Sequence, residues 1–387
     1  MVSIEEALKL VSQQQVKLIQ DTLPLAQSLG CYLSEDISSP FDLPSFDNSA
    51  MDGYAVCGFG QQFEIFGEVA AGNTSKNVLS EGKAMRIFTG GKVPDNTTAV
   101  IMQEKTKVEG TTLILEEEVI DGKNIRRKGT EIAEGQVVFK KGHKVTPATV
   151  GVLSSLGYGS VAAYQQPVIH VIATGNELIE PGEKKEIGQI YESNSQTLAT
   201  ALQDHGFYCG SQQKIADDLE AIADGIDENL EQCDVLLITG GISVGDYDYV
   251  KQALEENDVE EIFYKVFQKP GKPLYFGRRD DQYVFALPGN PASSLTCFYV
   301  HVLPLLQRLS GGAGNGLMKI NVPIAHEYEV KFDRPVFLKA LIEDNHVSIL
   351  DGQGSSMIHS MAQGNALAFV QGPVQYGKGD PIECLLI

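Results

Sequence analysis

Positive charge is scarce in this chain. Lys+Arg number 30 against 51 Asp+Glu in 387 residues, a formal net charge of −21. That deficit excludes a broad electrostatic grip on nucleic acid or on an anionic membrane, because both need a surface-wide excess of cations. It does not exclude an anionic substrate held by a few concentrated cations or a metal. The six cysteines (Cys31, Cys57, Cys209, Cys233, Cys297, Cys384) are dispersed. With no CxxC and no Cys/His ligand spacing, zinc ribbons and redox dithiols lose their support. Dispersed thiols fit a reducing, cytoplasmic setting. Residues 1–20 lack the cationic and apolar regions of a signal peptide. No stretch reaches the ~20 apolar residues that span a bilayer. There is no Walker A, no H-E-x-x-H, no internal repeat and no low-complexity tract.

What is present is an ordinary globular balance, 43% apolar and 21% charged. At roughly 100–200 residues per domain, this length predicts two to four domains. Residues 1–20 predict a helix, with Ser3 as N-cap, Glu6 completing a capping box, and Ile4, Ala7, Leu8, Leu10 and Val11 as the apolar stripe. From 46 to 131 short apolar runs (54–57, 63–69, 85–88, 100–102, 112–115) alternate with Gly, Asn and Asp turns, which predicts a β-rich unit inserted into a flanking region. From Pro167 the pattern changes. Strands at 168–173, 210–215, 234–239 and 283–287 alternate with helices at 193–205, 219–232, 247–257 and 291–309. That alternation predicts a doubly wound, mostly parallel α/β sheet. Residues 310–316 (Ser-Gly-Gly-Ala-Gly-Asn-Gly) read as a hinge. Beyond it, 318–387 reads as a small β-barrel with a short helix near 356–363.

Ligands of doubly wound sheets bind at the carboxyl ends of the parallel strands. Three strand ends carry Gly-rich or polar loops: Thr174-Gly175-Asn176-Glu177, the stretch from Gly240 and Gly241 through Ser243 to Asp248, and Pro288-Gly289-Asn290-Pro291. Small residues there let backbone N–H groups approach an anion, and each loop leads into a helix N-terminus. One such loop is often only a tight connection. Three on one edge point to a shared anion site. Glu177, Asp217 and Asp248 follow strand ends, and carboxylates beside a phosphate call for a bridging cation, of which Mg2+ is the usual one. Asp217 has the alternative of capping the next helix. Lys265, Lys269 and Lys272 crowd into eight residues stiffened by Pro270, Gly271 and Pro273. The insert holds the polar segment Asp47-Asn48-Ser49-Ala50-Met51-Asp52, which could equally be an Asx-turn cluster. It also holds Arg86 to Gly91 and the basic run Arg126-Arg127-Lys128. Gly241-Ile242-Ser243-Val244-Gly245 formally fits a nucleophile elbow. The seven dispersed histidines offer it no partner on a later strand-end loop, so a hydrolase is disfavoured.

The stretch from Pro44 through Phe46-Asp47-Asn48-Ser49-Ala50-Met51-Asp52-Gly53-Tyr54 to Val56 resembles the hallmark of the molybdopterin molybdenumtransferases, the MoeA and gephyrin E-domain family. Residues 86–94, 124–129, 173–177, 188–194, 239–248, 269–273 and 287–291 also resemble its motifs, in order, over nearly the whole chain. The resemblance implies a Mg2+-dependent transferase of molybdenum cofactor biosynthesis that inserts molybdate into adenylylated molybdopterin and releases AMP. It implies an α/β molybdopterin-binding domain (1–20 and 167–316), an elongated connector (21–45 and 134–166), a β-rich insert (46–133) and a C-terminal β-barrel (317–387). It further implies a homodimer whose cleft draws on both subunits, with a molybdopterin adenylyltransferase as candidate partner.

Carried over by motif, the catalytic positions are Asp52, Thr89, Glu177 and Asp248, and the metal positions are Glu177, Asp217 and Asp248. The substrate-binding positions are Gly240, Gly241, Ser243, Lys265, Lys269, Lys272, Pro288, Asn290, Pro291 and Ser355. Lys339 stands where many members carry an arginine; lysine keeps the charge but not the bidentate fork. Two alternatives are a molybdopterin adenylyltransferase, which needs neither insert nor barrel, and a gephyrin-like scaffold.

Overall fold

The strand–helix alternation after Pro167 builds one six-stranded sheet. Its spatial order is Cys209–Ile215, Ile169–Thr174, Val235–Thr239, Gln282–Leu287, Tyr275–Arg279, Glu260–Tyr264. The first four strands are parallel, and Tyr275–Arg279 runs antiparallel to both of its neighbours. This is a computed structural model that describes every residue except 71, 73–77 and 243–248. The residues of Ile169–Thr174 and Val235–Thr239 are all buried, as helices on both sheet faces require. Alternate side chains serve opposite cores. Val171, Leu237 and Phe285 pack with the helices at Ile4–Ser12, Asn194–Asp204 and Pro291–Cys297. Ile172, Ile238 and Val284 pack with Leu219–Leu230 and Tyr249–Glu256. The doubly wound α/β class is therefore observed. The second strand in chain order pairs on one side of the first and the third on the other, so the sheet's topological switch point lies between Thr174 and Thr239.

Two expectations need correction and a third, the helix over 291–309, is observed with one added feature. The first helix spans Ile4–Ser12, not 1–20. Ser3 Oγ does accept the Glu6 N–H at 3.1 Å, but one turn beyond Val11 the stripe meets Gln14 and Gln15 instead of apolar residues. Arg308 then takes the Val11 and Gln14 carbonyls at 2.8 and 2.7 Å. The long helix from Pro291 is continuous only through a π turn at Phe298–Val302. Pro304 offers no N–H to the turn before it, and a widened turn absorbs the mismatch. The glycine-rich stretch 310–316 is no loose hinge. A Cβ on Gly311 would lie 2.2 Å from Tyr164, and one on Gly312 2.6 Å from Tyr32. Gly316 also exchanges two hydrogen bonds with Gln307, at 2.8 and 3.2 Å.

The C-terminal strands form a curled five-stranded antiparallel sheet, in the order Lys319–Pro323, Pro381–Leu386, Ala366–Val370, Val336–Glu343, His346–Ile349. A ribbon of Tyr328–Val330 with Val374–Tyr376 completes a half-barrel. Val322, Leu338 and Val347 fill its inside. Phe337, Leu367 and Leu385 face the other way, into the core of the α/β helices. The barrel and the α/β sheet thus belong to one compact unit, residues 1–23, 30–34 and 162–387.

The other unit comprises 24–29 and 35–161. Its six-stranded mixed sheet runs Ala99–Met102, Gly53–Val56, Lys83–Ile87, Gln62–Val69, Thr112–Leu115, Thr106–Glu109. Each predicted short run of the insert lies in this sheet. Period-two alternation sends Ala55, Met85 and Val100 to one core and Val56, Ala84 and Ile101 to another. Among the described residues, no helix is long and apolar enough to cross a membrane.

Candidate active site

Glycine makes the switch point possible. Gly240 and Gly241 follow Val235–Thr239 with φ of +89° and +62°, a region that other residues avoid. A Cβ on Gly240 would lie 2.2 Å from the Thr174 carbonyl oxygen, and one on Gly241 2.9 Å from the Thr174 methyl. The loop after Thr174 and the loop that begins at Gly240 therefore pack closely together. The Pro288–Pro291 loop joins them through Asn194, which donates to Thr239 Oγ1 and to the Gly289 carbonyl, both at 2.8 Å.

Two carboxylates flank these loops. Asp218, not Asp217, caps the following helix, accepting the Ala221 N–H at 3.1 Å. Asp217 is left to the site: it is half-buried, its Oδ1 lies 3.3 Å from Thr174 Oγ1, and Asn176 Oδ1 accepts its N–H. Glu177 is exposed two residues beyond Gly175 in the same loop. Among the described residues no group of three or more metal-binding side chains exists. A pair of carboxylates suits Mg2+, which prefers hard oxygens and draws the rest of its shell from phosphate and water. Asp248 and Ser243 lie outside the described residues.

The lysine loop lies on the same unit. Lys269 is held by its backbone, donating to the Pro335 carbonyl at 2.9 Å and accepting from Phe337 at 2.8 Å. Its ammonium sits 3.4 Å from the Phe332 ring centroid. Burial, then the neighbouring Arg334 guanidinium, pull Lys269 below the usual lysine range. Lys265 lies over the Tyr264 ring at 4.4 Å. Among the described residues none of Lys265, Lys269, Lys272 and Arg334 is paired with a carboxylate. The loop abuts the helix that begins at Pro291: a Cβ on Gly271 would lie 2.3 Å from Cys297 Sγ and 3.6 Å from the Ser293 carbonyl.

Ser355 reaches the same place from the barrel. Asn290 Nδ2 donates to Ser355 Oγ at 3.1 Å, and Ser293 N donates to the Ser355 carbonyl at 3.2 Å. Lys339 does not present its charge to a ligand. It is 2% exposed, and its ammonium donates to the carbonyls of Gly352, Gly354 and Met357 and to Ser360 Oγ at 2.7–3.0 Å. Those acceptors use up its three N–H bonds. Burial lowers its pKa from the usual lysine value. It is the peg around which the Ser355 loop folds.

Asp52 and Thr89 belong to the other unit, and there they meet. Asp52 Oδ1 accepts the Thr89 N–H at 2.7 Å and the Thr89 hydroxyl at 2.8 Å. The Thr89 N–H first, then its hydroxyl and the nearby Arg86, hold the exposed carboxyl below the usual Asp range. Asp52 is thus anionic with one oxygen fully committed. Arg86 stacks over Tyr54 and Phe88 at 5.0 and 5.3 Å. Asp47 is structural: it pairs with Arg127 at 2.7 Å and accepts the Lys128 N–H, which accounts for the insert's basic run.

Arg334 was missed by motif and spacing. It stands alone in a turn 62 residues beyond Lys272, and only the pairing of Lys269 with Val336 brings it there. Buried Gln268 and His301 were missed for the same reason.

Comparisons with known proteins place the chain in a family. Residues 2–157 match the family profile "MoeA N-terminal region (domain I and II)" and residues 170–308 match "Probable molybdopterin binding domain". A molybdopterin molybdenumtransferase of Staphylococcus epidermidis is 29% identical over 399 residues, covering 100% of this chain and 95% of the relative. One from Staphylococcus aureus is 32% identical over 319 residues, covering 80% and 76%. The crystal structure of a molybdopterin biosynthesis MoeA protein from Pyrococcus horikoshii superimposes with a TM-score of 0.82 at 29% identity, covering 100% of both chains. The chain belongs to the molybdopterin molybdenumtransferase family.

Proposed function

We propose that the chain inserts molybdate into adenylylated molybdopterin, with Mg2+-dependent release of AMP. One observation carries this reading. Two strand-end carboxylates, Glu177 and Asp217, and a carboxylate-free lysine loop lie in one compact unit, together with strand-end loops whose glycines leave no room for side chains. Such a site can hold a phosphoanhydride and a second oxyanion despite their mutual repulsion.

Glu177 and Asp217, with Asp248, would hold Mg2+, which supplies charge neutralisation at the phosphate oxygens. Gly240 and Gly241, continuing to Ser243, cradle the phosphates with backbone N–H groups. Lys269, Lys272 and Lys265 hold molybdate or phosphate oxygens, while Asn290 and Ser355 orient the substrate between Pro288 and Pro291. Asp52, steadied by Thr89, orients the attacking or leaving group. The active species is a homodimer in this reading, and the chain divides functionally at the four-domain boundaries given above.

The test is AMP release from adenylylated molybdopterin with molybdate and Mg2+. Asp248→Ala and Glu177→Gln should each abolish it, with unchanged far-UV circular dichroism. Unchanged release in both variants would sink the metal assignment. A molybdopterin adenylyltransferase would instead make adenylylated product from ATP without molybdate; both curated relatives above bear the molybdenumtransferase name, so that activity is not favoured.

A further inference from the structure

The lysine loop rests on a buried polar pair that neither catalysis nor binding uses directly. Gln268 and His301 are both 0% exposed. The Gln268 amide donates to the Pro270 carbonyl at 3.1 Å and the Gly271 carbonyl at 3.4 Å. Its oxygen lies 2.8 Å from His301 Nε2. Because that partner is an acceptor, Nε2 carries the proton. His301 sits in the π turn of the helix that starts at Pro291.

A trans peptide plane points its N–H opposite its C=O. With the carbonyls of Pro270 and Gly271 drawn inward onto Gln268, the N–H groups of Gly271 and Lys272 are turned the other way. Neither donates to a protein acceptor among the described residues. Gly271 has φ of +86°. Successive N–H groups around such a residue form an anion-binding nest. A buried amide with every polar atom matched is an expensive thing to place behind a loop that needs no shape.

We propose that Gln268 and His301 are positioning residues. The pair fixes the loop so that the Gly271 and Lys272 N–H groups, with the Lys269 and Lys272 ammonium groups, converge on one oxyanion. The proposal rests on the reading of Lys269 and Lys272 as oxyanion binders. It goes beyond that reading by making the backbone a ligand and by naming the residues that aim it.

The test is the molybdate dependence of AMP release. Gln268→Met and His301→Phe keep volume and remove the polar links. Each should raise the molybdate KM about tenfold while kcat at saturating molybdate stays within about twofold. His301→Gln, whose amide nitrogen can reach where Nε2 stood, should return KM to within about threefold of the parent. A role in stability alone would lower the melting temperature and leave KM unmoved, and that result in either volume-matched variant overturns the proposal. An equal KM loss in His301→Gln and His301→Phe also overturns it. Lys272→Ala separates the two levels: if its KM is unchanged, the oxyanion reading itself fails. If its KM rises but that of Gln268→Met does not, only the positioning pair fails. Should His301→Phe not fold, Gln268→Met and His301→Gln decide the matter.

Discussion

Lys339→Met removes a buried ammonium while keeping the length of its stem. The ammonium serves four acceptors: the Gly352, Gly354 and Met357 carbonyls and Ser360 Oγ. Ser360 can rescue part of the loss, since its hydroxyl also reaches the Gly352 carbonyl at 2.7 Å and the Met357 carbonyl at 3.0 Å. The Gly354 carbonyl keeps the Met357 N–H at 3.1 Å, and the one hydroxyl proton serves one of the other two, so one carbonyl is left bare. That costs ~1–3 kcal/mol. Relief of the ammonium's own desolvation offsets some of this, which leaves about 1–2 kcal/mol. In a unit of this size that corresponds to a fall in melting temperature of roughly 2–8 °C, read by scanning calorimetry. Gln353 still ties the loop to the Lys339 backbone at 2.8 and 2.9 Å, so the barrel should stay folded. The Ser355 loop should loosen, and the KM for adenylylated molybdopterin should rise. A fall under about 2 °C with unchanged KM would refute the assignment of Lys339 as the loop's peg.

Three further outcomes follow from the same geometry. Burial depresses the His301 pKa from 6.5 to about 3, so between those values the unfolded chain binds a proton that the folded chain does not. Stability therefore rises with pH in that window, and His301 should cost about 2 kcal/mol between pH 7.5 and pH 5. Denaturation of His301→Phe should show a correspondingly flatter pH dependence; an identical slope would refute a neutral buried imidazole. Gly271→Ala would bring a Cβ to 2.3 Å from Cys297 Sγ at a φ of +86°. It should raise the molybdate KM more than tenfold, and wild-type KM in a folded Gly271→Ala chain would refute the fit. Asp52→Asn keeps the shape of an exposed side chain but loses the anion that Thr89 stabilises. AMP release should fall at least a hundredfold with no change in melting temperature, and near-normal turnover would remove Asp52 from the chemistry.

The apolar periodicities already determine much of this protein. Continuous apolar runs such as 168–173 and 234–239 can be satisfied only by burial on both faces, which specifies a parallel sheet between helix layers. The Thr-Gly, Gly-Gly and Pro-Gly steps that end those runs mark the ligand edge, because strand ends followed by glycine are where backbone can meet an anion. The Met51–Val56 segment and the lysine loop carry the family likeness in their order along the chain. Tertiary structure decided what depends on contacts distant in sequence. It ended the first helix at Ser12, where Arg308 arrives to take its carbonyls. It turned the glycine-rich 310–316 stretch from a hinge into packed chain, because Tyr32 and Tyr164 lie against it. It gave the capping role to Asp218 and left Asp217 to the site. It brought Arg334 beside Lys269 and turned Lys339 inward, since a charge's role depends on which acceptors the fold places within ~3 Å of it. Period and composition say which residues must be buried or must turn. Only the closed chain says which polar groups are already satisfied, and so which remain to bind a substrate.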